Sequence, residues 1–194
     1  MEGFEHINFN EILTVTLTLF AVIDILGSIP ILIGIKRKMG EISALTATVV
    51  SGALMLLFFF AGERILGMMG IDVQSFAIAG SLIIFFLALE MTLGIELFKS
   101  EGGNSKSGTI VPIAFPLIAG SGVLTTIMSL KSTYHFYNIL IGILINLILI
   151  FIVIRSLNFL ERILGESGIL VIRKFFGVIL IAIAVKLFKS NLGL

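Results

Sequence analysis

The chain has no cysteine, two histidines and three prolines in 194 residues, and only 13% of its residues are charged. Without cysteine there are no disulfides and no thiolate metal sites, and His6 and His135 cannot form a metal cluster by themselves. No cofactor is expected. A net charge of +1 offers neither the basic face that nucleic-acid binding needs nor an acidic tail, so no nucleic-acid partner is expected either. What the chain does have is apolar surface. It is 58% hydrophobic with a mean hydropathy of +1.17, far outside the range of soluble domains. The lipid bilayer is its main solvent, and the expected fold is an all-α polytopic membrane protein.

A helix needs about 20 apolar residues to cross the hydrocarbon core. Six stretches meet that length, at roughly 11–35, 43–62, 74–97, 111–130, 138–158 and 175–191. The first follows Glu2, Glu5 and Glu11 rather than a positive region and is too long for a signal peptide, so it is expected to be retained. The longest break, "KSEGGNSKSG" at 99–108, reads as a flexible linker. It lacks the preceding strand and the Gly-Lys-Ser/Thr ending of a phosphate-binding loop. There is no "HExxH", no usable Ser/His/Asp arrangement and no carboxylate pair beside the glycine- and proline-bearing interruptions of the first and fourth spans, so no enzymatic activity is expected.

Six spans put both termini on one side. Arg64, Lys131, Lys186 and Lys189 fall on that side, and nine basic residues fall on the other: Lys36, Arg37, Lys38, Lys99, Lys106, Arg155, Arg162, Arg173 and Lys174. The positive-inside rule then predicts a multi-pass cytoplasmic (inner) membrane protein with both termini outside. "ERILGMMGI" at 63–71 recurs as "ERILGESGI" at 161–169, half a chain later. This divides the chain into a first three-helix repeat (1–98), a cytoplasmic linker (99–108) and a second repeat (109–194). Three spans per half is an odd number, so the second half enters the membrane upside down. Such 3+3 inverted-topology repeats typify secondary transporters, whose site lies near the midplane between the halves.

The first and fourth spans carry matching interruptions, "DILGSIP" and "FPLIAGSGVLTT". Pro30 and Pro116 each remove a backbone donor, and Gly27, Gly120 and Gly122 ease departure from helical geometry. Broken helices 1 and 4 are therefore expected. Their freed N–H and C=O groups must line a cavity or meet a bound group, and half-helix ends aim opposite partial charges at it. Two such poles suit a zwitterion. Small residues in one span alone fit close helix packing, but two matched spans in a duplicated chain favour a site. The "GSG" within the fourth span is not a dinucleotide fingerprint, since neither the strand nor the later acidic residue is present.

Candidate substrate-binding residues are Asp24, Gly27, Ser28 and Pro30 in the first break, with Pro116, Ala119, Gly120, Ser121, Gly122, Thr125 and Thr126 in the second. Asp24 is the sharpest of them, because a mid-membrane charge costs about 3 kcal/mol or more by insertion scales. It reads as a proton carrier, a cation partner or a capping acceptor for the break. Glu90 in the third span is the second candidate for coupling. Lys186 either pairs with it or snorkels to an interface, and snorkelling is favoured. Asn146 reads as an interhelical hydrogen-bonding residue, and Tyr134 and Tyr137 as an interfacial belt.

Through "FAVIDILGSIPILI", "GIDVQSFAIAGSLIIFFLALEM", "VPIAFPLIAGSGVLTTIMSL" and "FFGVILIAIAV" the chain resembles the MarC family, also called the neutral amino acid transporter family. That family typically shows Asp-Pro-x-Gly-x-x-Pro in the first span and Pro-x-x-Ala-Gly-Pro-Gly, then Thr, in the fourth. Ile25 and Ser121 stand where the family usually has proline, at corresponding points of the two repeats. The resemblance implies transport of small neutral amino acids such as glycine and alanine, coupled to a proton or cation. It implies relation to the lysine-exporter superfamily and leaves uptake and efflux open, as it does homo-oligomerisation. A channel-like or ion-translocating protein, or an exporter of another small polar solute, is the alternative.

Overall fold

The computed structural model describes residues 7–95, 109–131 and 133–192, so the expected linker at 99–108 lies outside the described residues. Among the described residues eight helices follow in order: α1 (Phe9–Ile23), α2 (Ile29–Met39), α3 (Ala44–Met68), α4 (Val73–Leu93), α5 (Thr109–Ile118), α6 (Ser121–Leu130), α7 (Phe136–Arg155) and α8 (Leu157–Leu192). Among the described residues there is no strand. Of the described residues, four helical segments are long and apolar enough to cross a membrane: Ala44–Met68, Val73–Leu93, Phe136–Arg155 and Ser167–Leu192. The other two expected spans are not continuous. The stretch expected at 11–35 divides into α1 and α2, and the one at 111–130 into α5 and α6.

Polar side chains punctuate the helices. Asn8 accepts from the N–H groups of Asn10 and Glu11 at the start of α1, Ser43 Oγ from Thr46 N–H at 3.2 Å, and Asp72 Oδ1 from Ser75 N–H at 2.6 Å. Each satisfies a donor that has no intrahelical partner. Several helices overrun the expected spans. Glu63 and Arg64 continue α3 to Met68, and the last crossing segment begins at Ser167 rather than near 175. Charged residues of good helix propensity end an apolar run without ending a helix.

The two copies of the repeated motif each turn the chain, at different glycines. In the first, Ile71 N–H bonds Leu66 C=O at 2.9 Å and Gly70 N–H bonds Gly67 C=O at 3.0 Å, with Gly70 at φ 70°. This is the Schellman ending. In the second, Gly165 takes φ 61°, ψ 177° and bends α8 between its short leading segment and its crossing segment.

Packing runs between the halves. α4 lies along α8, α1 along α7, and α3 against α5, α6 and α7, while α2 meets α8 and α6 meets both α4 and α1. Val15, Leu19, Ile23, Met55, Phe59 and Ile143 are buried in the centre. Lipid is as apolar as these side chains, so close fit and interhelical hydrogen bonds hold the helices together. Asn146, 1% exposed, donates from Nδ2 to Thr16 C=O on α1 at 3.1 Å and to Gly142 C=O at 2.9 Å. That is the interhelical contact expected of it. Asn146→Leu is expected to loosen the α1–α7 pair by about 0.6 kcal/mol, and by no more than about 1.7, read by unfolding in detergent or bicelles.

Candidate functional site

The first break is built around Asp24. It ends α1 in the left-handed region at φ 47°, ψ 46°, which Asp tolerates better than most residues because its short side chain bonds locally. Asp24 C=O accepts from both the N–H and the Oγ–H of Ser28, each at 3.0 Å, and Asp24 Oδ1 accepts from Gly27 N–H at 3.2 Å. The carboxylate curls so closely over Gly27 that a Cβ there would overlap it. Pro30 follows at the second position of α2, where a missing N–H costs nothing. The chain therefore breaks at 24–28, and Pro30 starts the next helix rather than kinking the previous one.

The second break has a different build. α5 is a π-helix, whose wide turn closes with Ala119 N–H on Ala114 C=O at 2.9 Å. Pro116, joined to Phe115 by a cis bond, sits near its end. Ala119 and Gly120 separate α5 from α6, with Gly120 extended at φ −71°, ψ 167° and no side chain capping α6. The first-turn N–H groups of α6 thus put partial positive charge at the break. Ser121 occupies the first helical position, a place that suits proline.

The two breaks meet. Asp24 and Ser28 from the first, and Pro116, Gly120 and Gly122 from the second, line one cavity of about 30 Å³, closed by Ile84 of α4 and Leu180 and Ile183 of α8. That is room for about two waters. Asp24 Oδ2 and Ser121 Oγ are buried without a hydrogen-bond partner, and among the described residues no Lys or Arg pairs with Asp24. The remaining candidates stand outside the cavity wall. Gly27 underlies the Asp24 carboxylate, Ala119 is buried in the turn, and Ser121 packs on Gly80 of α4. The hydroxyls of Thr125 and Thr126 both donate back to Gly122 C=O, at 3.1 and 2.7 Å. Glu90 lies half-buried in the last turn of α4, where its C=O accepts from Gly94 N–H, and Lys186 is exposed on α8.

A "MarC family integral membrane protein" model matches residues 9–193. The chain belongs to the MarC family. It is 29% identical over 195 residues to "UPF0056 inner membrane protein YhgN" of Escherichia coli (strain K12), covering 94% of this chain and 96% of that protein. A "UPF0056 membrane protein" of Buchnera aphidicola subsp. Baizongia pistaciae is 31% identical over 191 residues with the same coverage. One from Aquifex aeolicus is 27% identical over 195 residues, covering 91% of this chain and 89% of that one. No solved structure matches. This MarC chain is thus an integral membrane protein with several crossing helices.

Each end of the broken first span of this MarC chain is tied to the second half. Glu11 of α1 accepts from Asn138 Nδ2 at 2.7 Å and from His135 N–H at 3.3 Å, at the start of α7. At the other end, Lys36 Nζ and Arg37 Nε of α2 reach Glu161 at 2.6 and 2.8 Å. The repeat singled out Glu161 as a copy of Glu63 but did not reveal this pairing, whose members lie 125 and 124 positions apart. The Lys36 and then the Arg37 hydrogen bonds hold the Glu161 carboxyl below its ordinary range. A lowered folded pKa contributes stability above the unfolded value of about 4.3, lost as pH falls through the folded value. Glu161→Gln is expected to lower the melting temperature slightly at pH 7, as suits a partly exposed pair worth about 0.2–1 kcal/mol. The difference from the parent chain should shrink as pH falls below the unfolded value of about 4.3 and through the lowered folded one.

Proposed function

We propose that this chain is a secondary transporter of small neutral amino acids, glycine- or alanine-like, in the inner membrane. Transport is ion-coupled through Asp24, and the site is the cavity between the two breaks. The observation that carries the reading is the meeting of both breaks at one small cavity beside a carboxylate oxygen that has no partner. The first turn of α6 offers N–H donors and partial positive charge to a substrate carboxylate, and Asp24 offers an anion to an ammonium group or a proton. An apolar channel wall or a packing defect has no use for that pair of poles.

The packing pairs support an inverted 3+3 arrangement. Exchanging the halves maps α1 on α7 to α5 on α3, and α2 on α8 to α6 on α4, while α4–α8 and α3–α7 map onto themselves. With room for only about two waters, the cavity of about 30 Å³ is a closed conformation. Substrate enters when α2 or α6 moves away from its partner in the other half. Proteoliposomes holding the full chain test the function. Saturable uptake of labelled glycine or alanine, driven by a pH gradient and abolished by dissipating it, is the expected result. Flux that is absent, or that rises linearly with concentration, defeats the proposal.

A further inference from the structure

A second and larger cavity lies away from the breaks, where α2 turns into α3 beside the end of α7. It is an open groove of about 640 Å³ whose wall includes Lys36, Glu41, Leu45, Phe151, Arg155 and Asn158. Arg155 belongs to the last turn of α7, a 20-residue segment long and apolar enough to cross the bilayer. The groove therefore sits at headgroup depth. Arg155 is exposed and has no ion-pair or hydrogen-bond partner among the described residues. Lys36 spends one of its three donors on Glu161 and keeps two. Glu41 is exposed on the same wall. Leu45 and Phe151 are 65% and 38% exposed, large apolar side chains beside the polar ones.

We propose that this groove holds a phospholipid with a phosphoethanolamine headgroup. Its charges are opposite in sign to the headgroup's at both ends. Arg155 and Lys36 donate to the phosphate oxygens, the guanidinium in a forked geometry suited to them. Glu41 accepts from the primary ammonium, and Leu45 and Phe151 lie against the start of an acyl chain. Glu41 also makes the site selective. Its negative charge opposes lipids that carry phosphate without a cation, and its oxygens have no N–H to accept from in a phosphocholine group. A purely basic pocket would favour anionic lipid instead. The proposal concerns a lipid at the interface and does not rest on the transport reading.

The full-length chain in nanodiscs, exchanged into equal parts of phosphatidylethanolamine, phosphatidylcholine and phosphatidylglycerol, supplies the test, with bound lipid counted by native mass spectrometry. Phosphatidylethanolamine is expected to be retained about tenfold over either competitor, the worth of one charge-assisted hydrogen bond. Glu41→Gln is expected to erase the preference over phosphatidylcholine and to raise phosphatidylglycerol binding. Arg155→Gln is expected to weaken all three lipids together. Both positions are exposed on the surface, so both variants should fold, which circular dichroism checks. Equal retention of the three lipids, or a preference for phosphatidylglycerol in the parent chain, overturns the proposal. So does displacement of the bound lipid by an equal concentration of soluble phosphoethanolamine, which would mean that the apolar wall contributes nothing.

Discussion

Asp24→Asn is expected to leave the protein folded and to abolish ion-driven accumulation. The two oxygens of Asp24 stand in different environments: Oδ1 accepts from Gly27 N–H at 3.2 Å, whereas Oδ2 is buried with no partner. An Asn carbonyl keeps the first interaction and, with it, the turn that ends α1. It cannot carry a proton or a net charge. One proton moved with each substrate supports about a tenfold concentration ratio per unit of pH gradient, since each unit is worth about 1.4 kcal/mol. The Asn variant should therefore bring the ratio down to one, with any remaining flux running only downhill. Asp24→Ala makes the useful contrast. It loses the Gly27 bond as well and leaves a left-handed residue with no side-chain acceptor nearby, a combined cost of about 2–3 kcal/mol. If the Ala variant is destabilised while the Asn variant stays folded and still accumulates substrate, Asp24 is a capping residue alone.

Gly80→Ala is expected to damage both the fold and the site. Gly80 is buried in α4, and a Cβ there would overlap both Oγ and Cβ of Ser121 and stand 3.3 Å from its Cα. Rotating the serine hydroxyl moves Oγ but not Cβ, so relief requires α4 and α6 to separate. Overpacking of this kind costs about 1–3 kcal/mol. Because Ser121 lies between Gly120 and Gly122, which line the cavity, separation also displaces the second break. Loss of stability and loss of transport should therefore appear together. Ser121→Gly removes the overlapping atoms, so the double variant is expected to recover most of both. Additive losses in that double-mutant cycle would show that the contact is not what makes Gly80 necessary.

Both interruptions were legible because Pro, Gly and a carboxylate are conspicuous in apolar runs. Their mechanics were not. Pro30 drew attention, but the chain turns before it, at Asp24, through side-chain hydrogen bonds that only three-dimensional geometry reveals. "TIVPIAFPLI" reads as an ordinary apolar span, and nothing in its composition announces a π-helix. The cavity walls from α4 and α8 were equally hidden, because Ile84, Leu180 and Ile183 look like any lipid-facing isoleucine or leucine. Thr125 and Thr126 are candidates through their place in the second interruption and its family motif, and what that pattern does not reveal is that both hydroxyls donate to a carbonyl within their own helix, common for Thr in a helix. Asn146 is legible from sequence because a buried amide in a membrane helix has few partners besides a neighbouring helix.

The absence of cysteine from these 194 residues makes one measurement especially direct. Ser28 lines the cavity and is 2% exposed, and Ser28→Cys places a single thiol there in an otherwise thiol-free protein. With the chain in sealed vesicles, a membrane-impermeant maleimide is applied from one face or the other. A site that opens alternately to each side gives labelling from both faces, slowed by saturating glycine or alanine. Labelling from neither face, or labelling from both that no amino acid slows, would contradict a substrate site between the two breaks.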